Sequence, residues 1–172
     1  MALVMQGWVG TGKDQTMLNE AVVSKLNGLI QLDYDAIQAY ERAISKIEDP
    51  EIRRELESFK ADHERHIVDL SECVRSLGGV PEDLGRDIKG VLLEGLTALR
   101  SVTGTEGALK AMKTNEEVTN RVYDEAFQSS MPEEARAIVE RNRDDERRHL
   151  SYIERCLNQP RESRPVHQNP RV

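Results

Sequence analysis

The chain has 172 residues, 38% of them hydrophobic and only 4% aromatic, with 24 Lys and Arg against 31 Asp and Glu for a formal net charge of −7. That length suits one domain able to bury a core without disulfides, while few aromatics and few β-branched runs exclude a sandwich or barrel in favour of an all-α fold. An acidic balance with no block of Lys and Arg argues against nucleic-acid and membrane-surface partners.

No run approaches 18 apolar residues, and the opening MALVMQGWVG has no basic leader region, which predicts a cytoplasmic protein. Cys73 and Cys156 are compatible with a reducing compartment. Residues 1–14 are glycine-rich and aperiodic and read as a flexible N-terminal arm. Gly7 to Lys13 matches the first seven places of a phosphate-binding loop. Asp14 stands where the magnesium-holding Ser or Thr belongs, and the chain lacks the alternating strands and helices such a loop needs.

From about 16 to 48 the residues Leu26, Ile30, Asp33, Ile37, Tyr40, Ile44 and Ile47 recur at spacings of three and four, one face of a long helix. Asp49, Pro50 and Glu51 supply a cap, a first-turn proline and an acidic first turn for a second helix. Its stripe is Ile52, Leu56, Phe59, His63, His66, Leu70, Cys73 and Leu77, and Gly78 with Gly79 ends it. Residues 82 to 103 form a weaker amphipathic segment, an extra short helix interrupted by Gly90 and Gly95. A third long helix runs from about 105 to 130 with Leu109, Met112, Glu116, Tyr123 and Phe127 on its face. Ser130 and Pro132 open a fourth, carrying Val139, Glu146, His149, Ile153 and Cys156. The proline-rich stretch 159–172 reads as a disordered tail.

Shifting the sequence by 83 residues lays 33–74 on 116–157 without a gap, with nine of 42 positions identical. Unrelated segments of this composition share about three. The identities include Tyr40 with Tyr123, Asp62 with Asp145, Arg65 with Arg148, His66 with His149 and Cys73 with Cys156. Each half is then a helical hairpin. The long connection between the halves predicts a crossover along the bundle, parallel second and third helices, and a pseudo-twofold axis between the hairpins. In that topology the cysteines lie roughly 20 Å apart, too far to pair.

Midway along the four stripes Asp33, His63, His66, Glu116, Glu146 and His149 converge. Ionisable groups at core positions are costly unless paired or bound to metal. Glu146 and His149 are spaced i, i+3 and project from one face towards Glu116, a donor set suited to iron, manganese or zinc. Tyr40 and Tyr123 lie two turns from the carboxylates on the same stripes, where they could hydrogen-bond a ligand or give up an electron. Asp35, Glu64 and Glu117 are near-register carboxylates expected to be solvated.

The pattern resembles the ferritin-like superfamily of ferritins, bacterioferritins, rubrerythrins and di-iron carboxylate oxidases. The residues that carry the likeness are Asp33 with Tyr40, Glu116 with Tyr123, Glu146 with His149, and the run Asp145, Glu146, Arg147, Arg148, His149. The match covers about 15–158 and is nearest to small bacterial ferritin-like bundles of unassigned function. The resemblance implies one or two metal ions, with Asp62 and Asp145 orienting the imidazoles. It also marks two departures: His63 stands where the family pattern has a bridging Glu, and Asp33 is one methylene short. Either one metal sits on Glu116, Glu146 and His149, or an altered pair recruits His63 and His66.

By that likeness the function is iron-dependent oxidation, peroxide detoxification or iron handling with oxygen or peroxide, in a homodimer or larger homo-oligomer. The alternative is a metal-free bundle, a stress-related or interaction module that keeps a relic site.

Overall fold

The computed structural model describes residues 12–84 and 103–158, with side chains from residue 16 onward. It contains four helices: α1 (Gly12–Ile44), α2 (Pro50–Ser76), α3 (Gly104–Phe127) and α4 (Glu133–Asn158). Residues 12–14, expected in the N-terminal arm, belong instead to the first turn of α1. Residues 1–11, the segment read as an extra short helix except for its first residues, and the tail 159–172 lie outside the described residues. α1 stops at Ile44 rather than near 48. The chain must leave the helix for Asp49 to adopt extended backbone and cap α2, its Oδ1 accepting from the Glu51 and Ile52 amides at 2.9 and 3.3 Å.

α1 packs on α2 and α3, and α4 packs on α3 and α2. Contacts at matched heights fix the directions. Tyr40 reaches Glu116 while Tyr123 reaches Asp33, so α1 and α3 run antiparallel. His149 reaches Asp62 while His66 reaches Asp145, so α2 and α4 do too. At the turn after α2, Asn27 on α1 bonds the Val80 carbonyl and the Glu82 amide, both at 3.0 Å. At the start of α3, Thr105 accepts from the Glu48 amide. From Asn27 to the end of α1 at Ile44, next to Glu48, the helix runs 17 residues, about 25 Å. Glu82 and Thr105 therefore lie at opposite ends of the bundle, and α2 and α3 are parallel.

Nearly every stripe residue anticipated from periodicity is buried; only Ile44, Leu77 and Phe127, at helix ends, are partly covered. The core divides into two apolar clusters. One holds Tyr40, Ile47, Leu56, Phe59, Leu109, Met112 and Ile153. The other holds Leu26, Leu29, Ile30, Leu70, Val74, Tyr123 and Val139. Cys156 belongs to the first and Cys73 to the second, and the two are not joined by a disulfide. Between the clusters lies a polar layer.

The α2 terminus is closely fitted. Gly78 takes φ +80°, a conformation in which a side chain is strained, and Gly79 presses on α1 so that a Cβ would lie 2.6 and 2.8 Å from the two Val23 methyls. Valine cannot swing away cheaply. Gly79→Ala is expected to lower unfolding free energy by about 2 kcal/mol through overpacking, measured as the urea midpoint.

Candidate metal centre

The polar layer is built from all four helices. Asp33 comes from α1, His63 and His66 from α2, Glu116 from α3, and Glu146 and His149 from α4, each with no exposed surface. All six sequence-predicted ligands meet. Their donor atoms form two groups, Asp33, His63, His66 and Glu146, and His63, Glu116, Glu146 and His149, within each of which the atoms lie within 4.8 Å of one another. His63 and Glu146 are common to both.

The two groups exchange under the 83-residue shift. Asp33 goes to Glu116, His66 to His149, and His63 and Glu146 trade places. The supporting contacts exchange likewise: Tyr40 donates to Glu116 at 2.7 Å and Tyr123 donates to Asp33 at 2.7 Å. His66 Nε2 faces Asp145 at 3.2 Å and His149 Nε2 faces Asp62 at 3.1 Å. Arg65 and Arg148 each bridge Asp62 and Asp145 on the outer side. The repeat identities Asp62 with Asp145 and Arg65 with Arg148 mark all four members of this ring, and the two aspartates are expected beside the imidazoles; that the arginines tie them together is not.

With Nε2 of both histidines turned outwards to a carboxylate, Nδ1 of each turns inwards. His66 Nδ1 is 3.3 Å from Glu146 Oε1 and 3.4 Å from Asp33 Oδ1. His149 Nδ1 is 3.8 Å from Glu146 Oε2 and 3.9 Å from Glu116 Oε2. Outward hydrogen bonds to Asp62 and Asp145 fix the ring orientation and raise the basicity of the inner nitrogen, as metal-ligating imidazoles require. His63 Nδ1 lies 2.8 Å from Asp33 Oδ1, leaving Nε2 without a partner. Glu116 Oε2, both Glu146 oxygens and His149 Nδ1 also have no hydrogen-bond partner. Buried polar atoms are rarely left so, and five of them converging on one spot fit a cation of hard-to-borderline character.

The electrostatics are those of a tightly coupled cluster. Burial works against a charged His66, but the facing carboxylates of Asp145, Asp33 and Glu146 overcome it and carry its pKa up to about 11. For His149, burial is outweighed by Asp62 and Glu146, giving about 9. His63 is raised against burial by Glu146 and Asp33. Burial, reinforced by the charge on Glu146, lifts Glu116 to about 7. Glu146 moves the opposite way: despite burial, the imidazoles of His63, His149 and His66 hold it well below the usual carboxylate range. Asp62, against its own burial, is held low by His149 and Arg65. Burial and neighbouring carboxylates push both tyrosines well up, so each is a hydrogen-bond donor.

One expectation fails. Asp35 is not solvated but 1% exposed, its acidity weakened by burial while Gln31 donates to Oδ1 at 2.9 Å. It sits on the flank of α1 beside buried Leu32 and Ala39, which widens the buried face beyond the three-four stripe. Glu64 and Glu117 are exposed as expected. Two buried asparagines went unnoticed, Asn115 and Asn142. Asn142 had a signal: an amide on the stripe between Val139 and Glu146, aligned with Phe59 in the repeat.

A family model described as a domain of unknown function (DUF2383) matches residues 21–129, well over half of the chain. The chain belongs to the DUF2383 family. That match spans α1 to α3 and stops before α4, which carries Glu146 and His149. No curated protein matches. Among solved structures, a ferritin-like, diiron-carboxylate protein from Bacillus anthracis aligns over 81% of this chain and 97% of its own, at 19% identity and TM-score 0.61. The bacterioferritin-related protein from Bacteroides fragilis, a dodecameric thioferritin, aligns over 85% and 93% at 14% identity and TM-score 0.67. A two-domain protein from Anabaena variabilis, with DJ-1/ThiJ/PfpI-like and ferritin-like domains, aligns over 86% of this chain at 14% identity and TM-score 0.64. This chain spans only 40% of its length. The fold of this DUF2383 member is the ferritin-like four-helix bundle.

Proposed function

We propose that this chain binds metal, iron foremost with manganese or zinc as alternatives, at a variant di-iron-type centre, and serves iron-dependent oxidation, peroxide detoxification or iron handling. The observation that carries the reading is the convergence of five fully buried donor atoms without hydrogen-bond partners, on His63, Glu116, Glu146 and His149. Asp33 and His66 would hold one position and Glu116 and His149 the other, with His63 and Glu146 between them. Iron bound there would supply one-electron chemistry towards oxygen or peroxide. Tyr40 and Tyr123 orient Glu116 and Asp33 and are the side chains nearest at hand to yield an electron. Asp62 and Asp145, pinned by Arg65 and Arg148, hold the imidazoles in their metal-facing tautomer. The exchange of contacts under the 83-residue shift supports descent of the two hairpins from one.

The Bacteroides dodecamer supports a homo-oligomer. Among the described residues no helix is long and apolar enough to cross a membrane. Two buried cysteines that form no disulfide accord with the cytoplasm, and we keep that assignment. The test is metal analysis of the native protein after growth with iron, manganese and zinc. Between about one and two ions per chain are expected, and below about 0.2 the reading fails.

A second reading has its own observation. Three imidazoles face three carboxylates in the layer, and the His63 to Asp33 contact at 2.8 Å is already a good ion pair. A metal-free relic would hold protons where a metal site holds cations, and would leave the bundle an interaction or stress-related module.

A further inference from the structure

The two halves of the centre are backed by different side chains. Phe59 stacks on His149 with ring centroids 4.2 Å apart, meets Tyr40 edge-on at 6.4 Å, and carries the Arg148 guanidinium 5.8 Å from its ring. The 83-residue relation, which exchanges the tyrosine–carboxylate and imidazole–aspartate contacts of the two halves, pairs Phe59 with Asn142. One half thus has a stacked phenyl and the other a carboxamide.

Asn142 has no exposed surface, and neither its Oδ1 nor its Nδ2 has a hydrogen-bond partner among the described residues. It lies one turn before Glu146 on the inward face of α4. Its amide is close enough to the Tyr123 hydroxyl to favour the ionised phenol, and Tyr123 in turn donates to Asp33. A buried amide that has only the nearby Tyr123 hydroxyl to turn to, and nothing at all for its carbonyl oxygen, is costly and calls for a polar occupant. The occupant must be small, since the site lies wholly inside a close-packed core, and must both give and take a hydrogen bond, which describes an oxygen ligand of water to peroxide size.

Resting on the metal-binding reading, we propose that Asn142 and Tyr123 form a subsite for a small exogenous oxygen ligand on the Asp33 and His66 side of the centre, while Phe59 closes the Glu116 and His149 side. The centre would then be two-sided in composition and one-sided in access.

Azide and cobalt(II) test this on the full-length chain. Cobalt content is measured first and azide is then titrated against the visible cobalt bands. Asn142→Leu, matched in shape, is expected to keep its cobalt and weaken azide binding about 10-fold, the equivalent of one hydrogen bond. Asn142→Phe should abolish it, and Phe59→Asn should admit azide to the second side. If Asn142→Leu and Asn142→Phe both load cobalt and bind azide as the parent does, the subsite is refuted and metal binding stands. If the parent takes up no cobalt, the reading beneath falls together with the subsite.

Discussion

Glu146→Gln is expected to abolish stable metal binding, reducing affinity at least about 100-fold, because Glu146 alone among the carboxylates belongs to both donor groups. Asp33 and Glu116 each serve one group, so Asp33→Asn and Glu116→Gln should each cost about one ion and leave the other bound. The amide keeps the shape of the side chain, which separates loss of charge from loss of packing. Charge loss has its own consequence in the metal-free chain. Glu146 is the one carboxylate besides Asp33 that faces both His63 and His66, at 3.4 and 3.3 Å from their Nδ1 atoms, all of them fully buried, and its removal leaves imidazoles that are costlier to protonate. Breaking a buried pair from one side costs about 3 kcal/mol, so Glu146→Gln should also be visibly less stable by urea denaturation without metal. Metal content and urea midpoint in the same protein provide the check. An unchanged metal content in Glu146→Gln would rule out both donor groups.

The bundle and its centre were legible for one reason: polar residues at three-four spacing on otherwise apolar stripes have nowhere to go but the core. Asp33, His63, His66, Glu116, Glu146 and His149 could be named because each interrupts such a stripe. The exchange of Tyr40 and Tyr123 across α1 and α3 followed from antiparallel hairpins, since carboxylate and tyrosine lie seven residues apart on both helices. What could not be read was what each nitrogen faces. Whether Nδ1 or Nε2 turns inwards depends on the distance between α2 and α4, which no periodicity encodes. Asp35 escaped because periodicity marks the centre of a buried face and not its width. Asn142 escaped because an asparagine on a helical stripe carries no metal-binding expectation, and its meaning comes from the phenyl ring that occupies the corresponding place on α2.

Alkaline pH is expected to destabilise the metal-free protein and to stabilise the metal-bound one. His66 and His149 are raised from about 6.5 to about 11 and about 9 in the folded chain. Each therefore stabilises the fold fully below pH 6.5, and the contribution is lost as pH climbs towards the folded value. Glu116, raised from 4.5 to about 7, acts in the same sense, its contribution present below 4.5 and gone above 7. Asp62, Asp145 and Glu146 are shifted down and act oppositely, but their contribution is lost only as pH falls below the ordinary carboxylate range. Between pH 6 and 9 the histidines therefore dominate. A tenfold change in proton affinity is worth about 1.4 kcal/mol, so two such histidines cost several kcal/mol, a fall of about 10 °C in Tm for a chain of this size. With a divalent metal in excess the sign reverses, because the same inner nitrogens must give up protons to coordinate and binding strengthens as pH rises. Paired thermal melts at pH 6 and 9, with chelator and with zinc, measure both slopes. A chelated protein whose Tm is flat across that range would mean that Asp62 and Asp145 do not hold the imidazoles charged. Parallel slopes with and without zinc would mean that the metal does not compete for those protons at all.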